Sequence, residues 1–267
     1  MRIEQSHFFD VLGFKELIAS MTLVDLANKY ERMIKWTTVI NRKLRVGPNG
    51  KEIPTLFPDH PVNDPWCKRY IFSDSIILVS YGDDEVSFLK LIIYARTLLQ
   101  VLIAMGLPAR GAIVFDELYE NSNLNIVLGK ALTCAYDLEQ RQQWIGGSID
   151  DELRIHFPKV FKHLEPKSGA LSDAFLRYPV PFKDGTSTMM QTLNWRCNLI
   201  SEKCTRSLFH KTNDKSSEEK IQNTIKYARC IVESGRIYVE KQDLLPVELR
   251  TFWVGSKEPP FPHGDEL

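Results

Sequence analysis

Two aspartates interrupt strongly apolar stretches: Asp10 in Phe8-Phe9-Asp10-Val11-Leu12-Gly13-Phe14, and Asp74 in Tyr70-Ile71-Phe72-Ser73-Asp74-Ser75. Each sets one carboxylate at the end of a run that reads as a β-strand, where an isolated buried charge is unfavourable unless a positive group sits beside it. Carboxylate oxygens are hard ligands suited to Mg2+ or Mn2+. Two such acids meeting at one place would make a two-metal site.

The elements around these acids have readable periods. Residues 3–10 predict a strand, and Gly13 then allows a sharp turn into a helix whose apolar positions Leu17, Ile18, Met21, Val24 and Leu26 have helical spacing. Residues 42–66 are dense in Gly, Pro and Asn and predict an exposed excursion. Residues 69–81 hold two apolar runs split by Ser73-Asp74-Ser75, which predicts a hairpin with the acid at its tip. Residues 85–105 are apolar all round, as in a buried helix. Strands are expected at 110–119, 126–128 and 145–149, and a helix over 130–142 with Leu132, Ala135, Tyr136 and Leu138 inward and Asp137 and Glu139 on a solvated face. The order predicts an α+β fold, helices on a mainly antiparallel sheet.

Composition bounds the possibilities. The chain has 267 residues, 43% of them hydrophobic, enough to bury a full core. Thirty-four basic residues balance thirty-four acidic ones, so no global field favours nucleic acid or an anionic membrane surface, and neither is expected as a partner. The five cysteines have no CxxC spacing, and Cys197 and Cys204 lack a His pair at finger spacing, which suits reduced thiols in a cytoplasmic protein. None of the six histidines forms an i,i+4 pair, so none is read as a metal ligand. The strand at the start leaves no room for a basic and apolar leader, and secretion is not expected.

The motifs and their order resemble the class III nucleotide cyclase catalytic domain over roughly residues 3–150. Phe9-Asp10-Val11-Leu12-Gly13-Phe14 resembles the family's Asp-Ile-x-Gly-Phe segment, and Phe72-Ser73-Asp74-Ser75 its Gly-Asp hairpin. Arg110-Gly111-Ala112-Ile113 resembles the Arg-x-Gly-Ile strand, and Gly129 through Glu139 the Gly-x-x-x-x-x-Ala-x-x-Leu helix. More narrowly, the combination resembles the bacterial pyrimidine cyclases of the Pycsar antiphage system, which make cyclic UMP or cyclic CMP as an alarm signal.

The resemblance implies a ferredoxin-like βαββαβ core over residues 1–150 and a C-terminal extension over 151–267 packed on that core or at a dimer interface. It implies two divalent ions, Mg2+ or Mn2+, held by Asp10, Asp74 and the Val11 backbone carbonyl. It implies a triphosphate facing the amides of Leu12, Gly13 and Phe14 and held by Arg110, which otherwise could cap the preceding helix or pair with Asp116. Purine cyclases carry Lys four residues before the hairpin acid; Tyr70 stands there here, which suits a pyrimidine, UTP before CTP. A packed strand tyrosine is the plainer reading of Tyr70. The transition-state Asn and Arg of the family align with Thr133 and Asp137, so either other groups supply that charge or the chain binds nucleotide without turning it over. A purine cyclase is the remaining alternative. Family members share each site across a homodimer, and their product reaches a separate cyclic-nucleotide-activated effector. Residues 151–267 carry an extended Tyr178-Pro179-Val180-Pro181 run, a helix around 218–233 and a strand at Arg236-Ile237-Tyr238-Val239-Glu240, with no motif tied to chemistry.

Overall fold

The computed structural model describes residues 2–44, 66–164, 175–195 and 215–234. Residues 45–65 of the excursion expected over 42–66, the strand at 236–240, Cys197 and Cys204 lie outside them, while residues 42–44 continue a helix instead of opening the excursion. Strands β1 (Arg2–Val11), β2 (Lys68–Phe72), β3 (Ser75–Val79), β4 (Ala109–Asn121), β5 (Ile126–Leu128), β6 (Gly146–Ile149), β7 (Phe175–Pro181) and β8 (Ser187–Leu193) form one sheet in the order β2-β3-β1-β4-β6-β8-β7, with β5 paired to β4. Only β4 and β6 run parallel; the other pairs are antiparallel. The helices are α1 (Phe14–Ser20), α2 (Leu23–Leu44), α3 (Glu85–Ala104), α4 (Lys130–Arg141), α5 (Leu153–His156), α6 (Pro158–Leu164) and α7 (Lys215–Glu233). The fold is α+β, as the alternation of periods requires.

Side-chain alternation divides the sheet into two faces. Phe9, Val11, Ile76, Leu78 and Ile113 enter the large core built on α3, while Phe8, Val79, Val114 and Leu118 meet Ala131 and Ala135 of α4. Helix α3 is long and apolar enough to cross a bilayer, but it is buried on nearly every side in the core. Asp84 caps it by accepting from the amides of Val86 and Ser87.

Two local expectations are corrected. The helix after Gly13 is not continuous: Met21 is extended, and Thr22 starts a second helix by accepting from the Asp25 amide at 3.2 Å while its hydroxyl donates to the Asp25 carboxylate at 2.6 Å. The break resets the helical face, so Leu17 and Leu26 are buried while Ile18 and Val24 are 55% and 68% exposed. In α4, Tyr136 is half exposed, packing edge-on against Phe8 with ring centroids 5.5 Å apart, and Glu139 is fully buried rather than solvated.

The sheet runs on past residue 150. Strand β8 pairs with β6, and β7 closes the edge, where Pro179 and Pro181 are tolerated because an edge strand has one side without ladder partners. Helix α7 closes over this end of the sheet: Thr224 Oγ1 accepts from the Ile145 amide at 2.8 Å, Asn223 donates to the Gln143 carbonyl at 2.9 Å, and Tyr227 packs edge-on against Trp144 at 4.6 Å.

Candidate active site

The ladder brings the two acids together. Asp10 lies in register with Ser75 on one side and Arg110 on the other, and the amide of Val11 donates to the backbone carbonyl of Asp74 at 3.0 Å. The β2–β3 turn that carries Asp74 is tight enough to need a positive φ at Ser73. Burial raises the proton affinity of the half-buried Asp10 carboxyl above its ordinary value, and the charge of Asp74 raises it further; Arg110, Lys220 and Lys183 pull it back only in part. Two hard oxygen donors at one point, short of positive charge, are a donor set that fits a divalent cation. Among the described residues no three His, Cys, Asp or Glu side chains cluster as metal ligands, so a cation held here would depend on these two acids, backbone oxygen and the substrate.

Gly13 adopts φ 71 and turns the chain into α1. The amide of Leu12 is taken by the Pro108 carbonyl at 2.8 Å, so the expectation that it faces a triphosphate is corrected: it belongs to the link between β1 and the start of β4. Leu12 and Phe14 are partly buried against the core. Helix α1 has only seven residues, a short dipole.

Arg110 is 2% exposed and faces inward. Its Nε donates to Glu139 Oε1 and its Nη1 to the Gln142 carbonyl at 2.7 Å; the other Glu139 oxygen accepts from Gln140 at 2.8 Å. Its partners are therefore Glu139 and the C-cap carbonyl of α4, not Asp116 or the helix that precedes β4, and in this arrangement its guanidinium holds α4 to β4. Burial pushes the Glu139 carboxyl up in spite of Arg110.

Tyr70 donates its hydroxyl proton to Glu120 Oε1, and Lys68 binds Glu120 Oε2. Burial works to raise Glu120, but the hydrogen bonds from Lys68 and Tyr70 outweigh it and hold the carboxyl below its ordinary range. Thr133 donates to the carbonyl of Lys130 at 3.0 Å and Asp137 is exposed on α4.

Three residues near the acids carry no sequence signal of their own. Lys183 follows β7 in the turn Phe182-Lys183-Asp184-Gly185, a hairpin tip whose Asp-Gly pair is the one hint of it; its ammonium is destabilised by partial burial and by Arg110, and favoured by Glu139 and Asp10. Lys220 stands on α7 one turn before Thr224, and its charge also acts on Asp10. Tyr30 of α2 packs edge-on against Phe14, ring centroids 6.3 Å apart.

No protein-family model matches the chain, and no curated protein does. Solved structures similar to it include an adenylyl cyclase from P. aeruginosa, 12% identical over 72% of this chain and 94% of that one, with a TM-score of 0.43. The guanylate cyclase domain from Catenaria anguillulae in complex with GTP is 10% identical over 72% and 94%, TM-score 0.43. A dimeric guanylyl cyclase domain from Blastocladiella emersonii is 9% identical over 73% and 97%, TM-score 0.44. These likenesses concern the arrangement of helices on a mixed sheet; the chemistry has to come from the residues of the site.

Proposed function

We propose that this chain is a metal-dependent pyrimidine nucleotide cyclase that converts UTP, or CTP, to a 3′,5′-cyclic mononucleotide and pyrophosphate. The observation that carries the reading is the meeting of Asp10 and Asp74 at one end of the sheet, with the Val11 amide tied to the Asp74 carbonyl. In the reaction the substrate's 3′-hydroxyl loses its proton and attacks the α-phosphorus, and the bond to the bridging oxygen breaks to release pyrophosphate. Divalent ions, when bound, supply the positive charge that such a displacement needs on its attacking and leaving oxygens. Asp10 and Asp74 hold that charge in place, and Lys183 and Lys220, whose charges act on Asp10, add further positive charge for a triphosphate. Tyr70, with its proton engaged by Glu120, offers the base an oxygen held in one orientation.

The same proposal includes the biological setting that the resemblance implies: a homodimer in the bacterial cytoplasm that makes a second messenger in Pycsar antiphage defence, the product acting on a separate effector. A second reading is supported by a specific observation. With Arg110 engaged by Glu139 and Gln142, and with Thr133 and Asp137 standing where the family carries Asn and Arg, those two positions of α4 offer no cation to a transition state, which would suit a domain that binds nucleotide without turning it over. Incubation with each of the four NTPs and Mn2+, followed by chromatography, separates these readings. Cyclic UMP or cyclic CMP is expected; a cyclic purine product, or nucleotide binding without pyrophosphate release, would contradict it.

A further inference from the structure

The hydroxyl of Tyr30 is buried and, among the described residues, has no hydrogen-bond partner. It stands on the inward stripe of α2 with Leu26, Met33 and Thr37, and Thr37 satisfies its own hydroxyl on the Met33 carbonyl at 2.8 Å while Tyr30 does not. A buried hydroxyl left without a partner loses its water and gains nothing, and native proteins keep few such groups. Phenylalanine would fill the same space without that loss. The position of the hydroxyl is informative: its ring packs on Phe14, at the end of the turn that follows Asp10, and after burial the strongest influences on its proton are the charges of Asp74 and then Asp10. Those influences and burial together keep the phenol protonated, so it is a donor without an acceptor, on a ring packed against the residue that ends the Asp10 turn.

We infer that Tyr30 is a substrate-positioning residue of the Asp10–Asp74 site, donating its hydroxyl proton to an anionic oxygen of a cation-bound nucleoside triphosphate. The inference rests on the reading of that site as one for a triphosphate and adds to it a residue from α2. An anion would not enter beside two carboxylates alone; once a divalent cation accompanies it, its phosphate oxygen is the acceptor that the hydroxyl lacks.

The test is Tyr30→Phe in the full chain, read in two ways. The ligand-free variant is expected to melt at the same temperature as the parent or higher, because it loses only an unsatisfied hydroxyl. Its affinity for Mn2+ with a UTP analogue carrying a methylene in place of the α–β bridging oxygen is expected to fall at least about ten-fold, the loss of one hydrogen bond to a charged group, while its affinity for Mn2+ alone stays unchanged. Unchanged affinity for the analogue, or a lower melting temperature without ligand, would overturn the inference, since either result makes the hydroxyl a structural group. A parent chain that binds neither UTP nor CTP analogue with Mn2+ would overturn the reading of the site itself, and this inference with it.

Discussion

At the scale of single residues, Asp10 at the sheet end acts against folding, a cost that the proposed cation would relieve. Asp10 has its proton affinity raised above the ordinary 3.8, by burial first and by Asp74 second. The folded state therefore disfavours the ionised form, and stability is lost as pH rises from the ordinary value through the raised one and stays lost above it. Asp10→Asn is expected to raise the melting temperature of the metal-free protein at pH 7, with the difference vanishing below about pH 4, where the carboxyl is protonated in both states; thermal scans across pH check this, and a variant less stable at pH 7 contradicts it. The same substitution abolishes product if the acids hold the cations. Arg110 and Glu139 differ in that each has the other as a direct partner. Both are buried, so Glu139→Ala leaves an uncompensated charge inside and is expected to cost about 3–5 kcal/mol in urea unfolding, while replacing both partners with Leu and Met recovers most of it. A double variant as unstable as the single one would show that the pair is more than mutual compensation.

At the scale of elements, turn geometry delivers the side chains. Gly129 has φ 144, and a Cβ there would run into the carbonyl oxygen of Glu117 and come within 2.9 Å of the Leu118 Cα. Gly129→Ala is expected to lift α4 off β4, destabilising the fold by roughly 1–3 kcal/mol and disturbing the Arg110–Glu139 contact, as unfolding curves and amide exchange in α4 would record. Most elements were legible because their patterns are strong: apolar runs in β1 and β3, an all-round apolar α3, a Gly before α4. The acids were legible because a carboxylate inside an apolar run is anomalous wherever it falls. Helical spacing across Met21 hid the break because Thr22 and Asp25 cap locally, a signal weaker than the apolar stripe that overrides it. Glu139 was misread because its neighbours are polar; only tertiary contact with a strand residue 29 positions earlier makes it buried. Tyr30, Lys183 and Lys220 were illegible for the same reason, since each lies on an element whose own pattern says nothing of the two acids whose charges act on it or on which its charge acts.

At the scale of the whole molecule, the described residues after 150 continue the sheet that carries the two acids. Helix α7 holds the Gln143–Ile145 link next to the row Asp10, Arg110 and Gly146, and it carries Lys220. Tyr227 is fully buried, donating to the Leu193 carbonyl at 3.1 Å and packing on Trp144. Tyr227→Ala is expected to cost about 3–5 kcal/mol and to weaken triphosphate binding together with stability, since α7 would no longer hold its lysine in place. In the proposed dimer each site takes its acids from one chain and Tyr70 from the other, so mixing Asp74→Ala chains with Tyr70→Ala chains is expected to restore product that neither makes alone.

The most direct test is electron paramagnetic resonance of Mn2+ titrated into the chain with the non-cleavable UTP analogue, for the parent, Asp10→Asn, Asp74→Asn and the double variant. Joint ligation predicts tight Mn2+ sites in the parent, loss of them in each single variant, and no further loss in the double. Unchanged Mn2+ binding in either single variant would contradict the claim that Asp10 and Asp74 hold the cations together.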